Sequence, residues 1–268
     1  MLKVFMTPCF FTRAGSGLTS TDLPVSPWNP AALNGVAVGG LLATLIEELA
    51  PPSALPVHWV RLHIDLLGAV PAGFLEPRYT LVRGGRQMQL HQVELIADGR
   101  TVARAQGLRV RDGDTPGFEF PIGYDLPDAY PPAPPQTLGV LRHTDQRVVA
   151  GRNRQDGPGV LWINFGAQVI GGTPLSPLTR TAMAADFGGG TGNMLGADPY
   201  SWPNLDISLF LMREPVGEWV LTEAITESAG NGTGITSSRL ADVRGTFART
   251  HQSIFVERTD EHPDHFTS

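Results

Sequence analysis

Two stretches of the chain, about 144 positions apart, follow the same order of residues, and this internal repeat is the strongest constraint on the fold. The first begins with Arg61–Asp65 (RLHID) and the second with Asn204–Ser208 (NLDIS). In both, a proline-containing segment, a turn around an aspartate and a closing strand-like segment follow in that order. A long fixed period is typical of one structural unit used twice. We therefore expect two copies of one fold, each large enough to bury a core.

Composition narrows the class of protein. Hydrophobic residues make up 41% of the chain and charged residues 17%, a balance typical of globular rather than disordered proteins. The net charge of −6 argues against a nucleic-acid-binding protein, which would need a basic surface. Cys9 is the only cysteine, which excludes an internal disulfide and a zinc–cysteine cluster.

A cytoplasmic location fits these features. A single cysteine suits a reducing compartment. The N-terminal segment is interrupted by Pro8 and Arg13 and lacks the apolar centre of a secretion signal. The longest apolar run, residues 36–46, is far shorter than the ~20 residues that cross a bilayer, so we expect no membrane span.

Hydrophobic periodicity predicts an α+β fold in each half. Residues 35–49 form an apolar helix that Pro51 and Pro52 end, and residues 57–111 alternate as three or four antiparallel strands. The second half repeats the order, with strand-like runs at 144–150 and 159–170, a helix at about 176–187 and strands from 204 to 257. The glycine-rich residues 188–192 favour a helix end and a flexible loop.

A proline-rich segment separates the halves. We expect an N-terminal unit at residues 1–115, a semi-extended linker at 116–138 and a C-terminal unit at 139–268. Such a density of proline is not compatible with a sheet interior. Each unit would bury its helix against its own antiparallel sheet.

Several short motifs, in this order and spacing, resemble those of one family. They are Trp28-Asn29, Ala184-Ala185-Asp186, Pro203-Asn204-Leu205-Asp206, Gly217-Glu218-Trp219-Val220 and His251-Gln252-Ser253-Ile254. Each half resembles a hotdog domain, and the chain resembles a double-hotdog thioesterase of the acyl-CoA thioesterase II type and its uncharacterised bacterial relatives. The resemblance implies an acyl-CoA substrate, no cofactor or metal, and a homodimer or higher homo-oligomer.

The resemblance also implies catalytic residues. In acyl-CoA thioesterase II, an Asp on the second helix, a Thr that opens the next strand and a Gln in the last strand position the attacking water. The Asp corresponds to Asp186 and the Gln to Gln252. The Thr position falls on Asn204, a departure that bears on rate and substrate choice, although an amide can also hold a water.

The same three residues have alternative interpretations. Asp186 lies in an otherwise apolar helix, where burial would raise its pKa into the range of a general base, but it could be a solvated residue at the helix end. Gln252 shares a strand face with Ile254 and needs partners there, so it orients a water or bonds to the backbone as a structural amide. Asn204 follows Pro203 and could simply open a strand.

The halves differ at these positions. At the repeat offset Asp186 aligns near Leu42, and Gln252 aligns near Gln106. The first half would thus keep the amide and lack the acid. We therefore predict one active site per chain, in the second half.

Three functions are compatible with the sequence. The first is hydrolysis of an acyl-CoA thioester by an activated water. The second is a non-catalytic hotdog protein that binds acyl-CoA or another lipid-like ligand. The third is an enoyl-CoA hydratase, although the Asn-Pro-x-His string of that lineage does not follow Asp186.

Overall fold

The computed structural model describes residues 7–26, 29–137, 139–151, 157–193 and 200–258. Trp28, one of the residues that carry the family resemblance, lies outside these ranges. Fifteen strands are present in the described part of the chain. They are β1 (Cys9–Ala14), β2 (Gly17–Ser20), β3 (Val57–Leu66), β4 (Phe74–Arg83), β5 (Met88–Ala97), β6 (Arg100–Arg111), β7 (Thr144–Ala150), β8 (Gly159–Phe165), β9 (Gln168–Ile170), β10 (Tyr200–Ser201), β11 (Asp206–Leu211), β12 (Val220–Ser228), β13 (Thr233–Asp242), β14 (Gly245–Phe255) and β15 (Glu257–Arg258).

Three α-helices accompany the strands: α1 (Gly35–Leu49), α2 (Pro177–Asp186) and the one-turn α3 (Gly188–Thr191). Short 3₁₀ turns lie at Pro127–Ala129 and Gly139–His143. The predicted bounds of α1 are confirmed, and four strands form within residues 57–111. The sequence analysis did not predict the strands β1 and β2.

The order of the strands shows that the repeat is structural. The 13-stranded sheet runs β7-β8-β12-β13-β14-β11-β3-β6-β5-β4-β2-β1-β9. Read outward from the central pair β3–β11, each half follows the same order, and every pairing is antiparallel except that of β1 with β9. The predicted α+β double-hotdog class is therefore confirmed.

Strand register gives the offset between the halves. Trp59 pairs with Arg109, and Asn204 pairs with Ile254, so the offset is 204 − 59 = 254 − 109 = 145 residues. The sequence alignment of RLHID with NLDIS was wrong by two positions, since it placed Leu62 on Leu205. In the structure Leu62 corresponds to Ile207, and both side chains are buried.

The two central helices pack against each other inside the sheet. In α1, residues 36–46 are all buried, and the helix starts where the Asn34 side chain accepts a hydrogen bond from the Val36 N–H at 2.9 Å. Gly40 allows α2 to approach, because a Cβ at this position would lie 2.8 Å from Cγ of Met183. The Thr44 and Thr179 hydroxyls, 3.0 Å apart, link the two helices.

The glycine-rich segment after α2 is helical, so the loop expected there was wrong. The Thr191 N–H donates to the Phe187 carbonyl and the Gly192 N–H to the Gly188 carbonyl, both at 2.9 Å. These bonds form one extra turn directly after α2. The glycines are needed for closeness to the sheet: a Cβ at Gly188 would lie 2.5 Å from Oγ of Ser238.

The proline-rich segment is packed against the outer face of the second half. Trp162 Nε1 donates to the Asp125 carbonyl at 3.1 Å, and the Tyr124 hydroxyl donates to Glu223 at 3.1 Å. Ile122, Tyr124 and Tyr130 pack there on a small cluster of Val160, Trp162, Leu221 and Ala241. The division into units at residues 116–138 stays a prediction.

β9 is the point at which the two halves interlock. It follows β8 of the second half after two residues, yet it pairs with β1 of the first half through Cys9↔Gln168 and Phe11↔Ile170. No helix in the described part of the chain is long and apolar enough to cross a membrane. Self-association stays a prediction.

The pair β3–β11 should carry much of the stability. Leu62 and Leu209 are register partners on the buried face, so Leu62→Ala should lower the free energy of unfolding by about 2–5 kcal/mol. Phe210→Ala, on the exposed face of the same pair, is the matched control and should change it by about 0.5 kcal/mol or less. Urea unfolding measures the free energy of unfolding of both variants. Equal effects of the two variants would contradict the expectation that the buried face of the β3–β11 pair carries much of the stability.

Candidate functional site

A pocket of about 390 Å³ opens between the two halves. The first half contributes residues from 26–38 and 66–70, and the second half contributes Leu141 and residues from 186–190 and 202–205. Its described lining is mostly apolar, and Asp186 is the one charged residue in it. A mainly apolar cavity with a few convergent polar groups is typical of a small-molecule site.

Asp186 lies in this pocket, at the junction of the two central helices. It is the last residue of α2, and its carboxylate faces the N-terminus of α1, where the Val36 N–H points toward it. Gly35 makes this approach possible, because a Cβ at that position would overlap with Oδ1 of Asp186. The N-terminus of a helix carries partial positive charge, so it is a favourable place for a carboxylate.

The pKa of Asp186 reflects two opposing effects. Burial disfavours the charged carboxylate and is the larger effect, so the pKa rises to about 6. Hydrogen bonds from Asn204 and from the Val36 N–H favour the charged form and limit the rise. The carboxylate is therefore mostly ionised at neutral pH and still basic enough to accept a proton.

Asn204 lies beside Asp186. Its Nδ2 donates to Oδ1 of Asp186 at 2.9 Å, which also decides the orientation of the amide, because a carboxylate only accepts. Oδ1 of Asn204 is buried and has no hydrogen-bond partner in the described protein. The amide thus holds the acid on one side and offers a free acceptor on the other.

Gln252 resembles Asn204 in that its amide nitrogen is hydrogen-bonded and its amide oxygen is not. Its Nε2 donates to the Ala185 carbonyl at 2.6 Å, so Oε1 is the atom left over, and Oε1 is buried with no partner in the part of the chain that the structure describes. A Cβ at Gly189 would lie 3.4 Å from Oδ1 of Asn204 and 3.9 Å from Oε1 of Gln252. The two unpaired oxygens therefore face a common space beside Gly189.

The structure brings the three sequence-predicted residues to one place. Asp186 is largely buried and does not point outward into bulk solvent. Nε2 of Gln252 donates to the carbonyl of Ala185, the residue before Asp186 in α2. Sequence reasoning missed the N-terminus of α1 as part of the site. Asn34, a helix-capping residue type directly before the apolar helix, was the available signal, because helix N-termini attract anions.

The corresponding place in the first half has different residues. The 145-residue offset puts Trp59 at the position of Asn204 and Gly107 at that of Gln252. The helices have a different offset from the strands, because their N-caps Asn34 and Ser176 are 176 − 34 = 142 residues apart. This offset places Thr44, rather than Leu42, at the position of Asp186.

Gln106 was wrongly aligned with Gln252. It lies on the opposite face of the sheet, where its Nε2 donates to Gln92 at 2.9 Å. At the true counterpart, Gly107, a Cβ would lie 2.7 Å from the Trp59 ring and 2.8 Å from Cδ1 of Ile46. Apolar side chains thus fill the first-half counterpart, and one site per chain stays our prediction.

Comparisons with known proteins identify the family of this chain. A family model described as the acyl-CoA thioesterase N-terminal domain matches residues 24–110, and one described as the acyl-CoA thioesterase C-terminal domain matches residues 125–256. Among curated proteins, no match to the chain is found.

Solved structures share the fold at low sequence identity. A hotdog-fold protein of Alicyclobacillus acidocaldarius has 13% identity and a TM-score of 0.72, covering 92% of this chain and 95% of its own. A proposed thioesterase of Novosphingobium aromaticivorans DSM 12444 has 22% identity and a TM-score of 0.68, covering 92% and 98%. An acyl-CoA thioesterase II of Mycobacterium marinum has 16% identity and a TM-score of 0.65, covering 86% and 92%.

The raised pKa of Asp186 predicts how stability depends on pH. The folded state holds the proton more tightly than the unfolded state, so the contribution of this group is full below pH ~4 and is lost as pH rises through about 6. An asparagine does not ionise, so the Asp186→Asn variant should not lose stability over this pH range. Urea unfolding from pH 4 to pH 8 should show the variant gaining up to about 3 kcal/mol relative to the natural chain. A stability difference that does not change with pH would contradict the assignment.

Proposed function

Because the chain belongs to the acyl-CoA thioesterase family, we propose that it hydrolyses an acyl-CoA thioester with a water activated by Asp186. The observation that carries the proposal is the convergence of an ionised carboxylate and two unpaired amide oxygens beside one apolar pocket. The family supports thioesterase activity in general.

The proposed reaction uses each group in a defined way. A water that donates one hydrogen to Asp186 and the other to Oδ1 of Asn204 or Oε1 of Gln252 presents a lone pair to the thioester carbonyl carbon. As the C–O bond forms, the proton moves to Asp186, which acts as general base. When the C–S bond breaks, the thiolate takes that proton, which leaves a carboxylic acid and free coenzyme A.

The N-terminus of α1 is suited to the developing oxyanion. Gly35 and Val36 line the pocket beside Asp186, and the first amides of a helix have no carbonyl partner within it. The Val36 N–H already donates to Oδ1 of Asn34 at 2.9 Å, so Gly35 is the residue whose N–H we assign to the oxyanion. Preorganised N–H donors at a helix N-terminus stabilise negative charge on oxygen. We therefore propose that the thioester carbonyl oxygen lies against the first turn of α1.

Asn204 supports this reaction where the family pattern has a threonine. A hydroxyl has one hydrogen to donate, so donation to the acid would use it. The amide donates to Asp186 through Nδ2 and keeps Oδ1 as an acceptor for water. We propose that Asn204 orients both the acid and the water.

A panel of acyl-CoA thioesters, assayed by release of free thiol, tests the activity. We expect kcat/KM to rise with pH through an apparent pKa of about 6, because only the ionised acid accepts a proton. Asp186→Asn should lower kcat by about 10²–10⁴-fold. Thermal stabilisation by acyl-CoA without thiol release would instead favour the non-catalytic ligand-binding protein.

The position of the attacking water has a steric test. Gly189→Ala would place a methyl group at ordinary contact distance, 3.4 Å from Oδ1 of Asn204, so the fold should tolerate it. The methyl would occupy the space that both free oxygens face, and we expect kcat to fall by about 10²-fold or more.

Gly39→Ala is the matched control for this variant. It adds a methyl in α1 at similar distances, 3.6 Å from Cδ1 of Ile64, outside the pocket lining. We expect it to retain activity. Full activity of Gly189→Ala would exclude a water at this position.

A further inference from the structure

The inner face of the second-half sheet, beneath α3, carries more polar side chains than the same face of the first half. Side chains alternate between the two faces of a strand, so the inward residues of β12, β13 and β14 can be compared with those 145 positions earlier. The second half has buried Thr222, Thr236, Ser238, Thr250 and Gln252 on this face. The corresponding residues of the first half are Pro77, His91, Val93, Ala105 and Gly107.

Three of these polar groups are neighbours without a protein partner. Ser238 and Thr250 are register partners on β13 and β14, and Gln252 is the next inward residue on β14. Ser238 Oγ, Thr250 Oγ1 and Gln252 Oε1 are all buried and accept or donate no hydrogen bond within the described residues. Thr236, beside them, differs because its hydroxyl lies 2.7 Å from that of Thr226.

Burial without a partner is unfavourable for each of these groups, because each gives up hydrogen bonds to water on folding. Buried polar atoms in native proteins are almost always paired with protein or with ordered water. Three such atoms also match the number of hydrogen bonds that a typical buried water makes.

The Gly188 backbone lies close to two of these atoms: a Cβ at this position would be 2.5 Å from Ser238 Oγ and 3.0 Å from Gln252 Oε1. A hydroxyl can donate or accept, whereas Oε1 of Gln252 can only accept. A molecule that bridges all three groups must therefore donate at least one hydrogen bond.

We propose that a buried water bridges Ser238, Thr250 and Gln252, and that this water positions the Gln252 amide for the reaction. The water would donate a hydrogen bond to Oε1 of Gln252, and Nε2 of Gln252 donates to the Ala185 carbonyl at 2.6 Å. The two hydrogen bonds together would fix the orientation of the amide. Ser238 and Thr250 are then positioning residues that act through Gln252. The positioning role rests on the proposed function, whereas the water itself does not.

The water can be tested by structure and by the sign of a stability change. A high-resolution crystal structure should show one density peak within hydrogen-bond distance of Ser238 Oγ and Thr250 Oγ1. Thr250→Val removes the hydroxyl and nearly keeps its shape, so the loss of a bridged water should lower Tm by about 3 °C. If the hydroxyl is unpaired and dry, the same variant should raise Tm, because valine suits a buried strand.

Thr181→Val is the matched control, since the Thr181 hydroxyl is buried but bonds to the Pro177 carbonyl at 2.7 Å. It measures the effect of removing a buried hydroxyl that is known to be hydrogen-bonded, so Thr250→Val should lower Tm by a similar amount. A raised Tm for Thr250→Val relative to the natural chain, or a crystal structure in which the hydroxyls bond only to protein, would overturn the proposal.

Kinetics test the positioning role. Ser238→Ala and Thr250→Val should each lower kcat by about 10-fold with little change in KM and no change in the pH midpoint, because Asp186 and the pocket are untouched. Unchanged kcat in both variants overturns that role. If instead Asp186→Asn keeps full activity while the crystallographic water is present, the proposed function fails and the buried water stands.

Discussion

The contact between the Asp186 carboxylate and the N-terminus of α1 is the interaction on which the site depends. The acid belongs to the second half and the helix start belongs to the first, so neither half has the arrangement alone. Gly35 permits the contact and Asn204 completes it. The same contact keeps the acid ionised at neutral pH despite burial, because the helix N-terminus and the Asn204 amide offset part of the desolvation.

Two copies of one fold have come to differ in how they use the same space. Beneath α3 the second half buries hydroxyls and an amide, whereas the first half fills the equivalent region with Trp59 and Ile46 around Gly107. The second half retains unpaired polar atoms, which are unfavourable for folding and useful for holding water.

Much of the fold could be predicted from the sequence, because strong hydrophobic periodicity and proline boundaries are local signals. The bounds of α1 follow from an apolar run between Asn34 and Pro51. The alignment of the repeats could not be settled by local signals, since RLHID and NLDIS match better at the wrong offset than at the right one. Gln106 was misplaced because the closing strands were aligned one residue out, and an error of one residue in a strand moves a side chain to the other face. The helical turn at Gly188–Thr191 depends on packing against Ser238, which glycine propensity cannot indicate.

The crossing of β9 to β1 has a consequence for the order in which the chain is made. The first half emerges from the ribosome without its outermost strand and without the helix that covers α1, since both follow residue 160. The hydrophobic helix α1 therefore stays partly exposed until well over a hundred further residues have been synthesised. The N-terminal repeat is thus expected to complete its fold only after α2 has been synthesised.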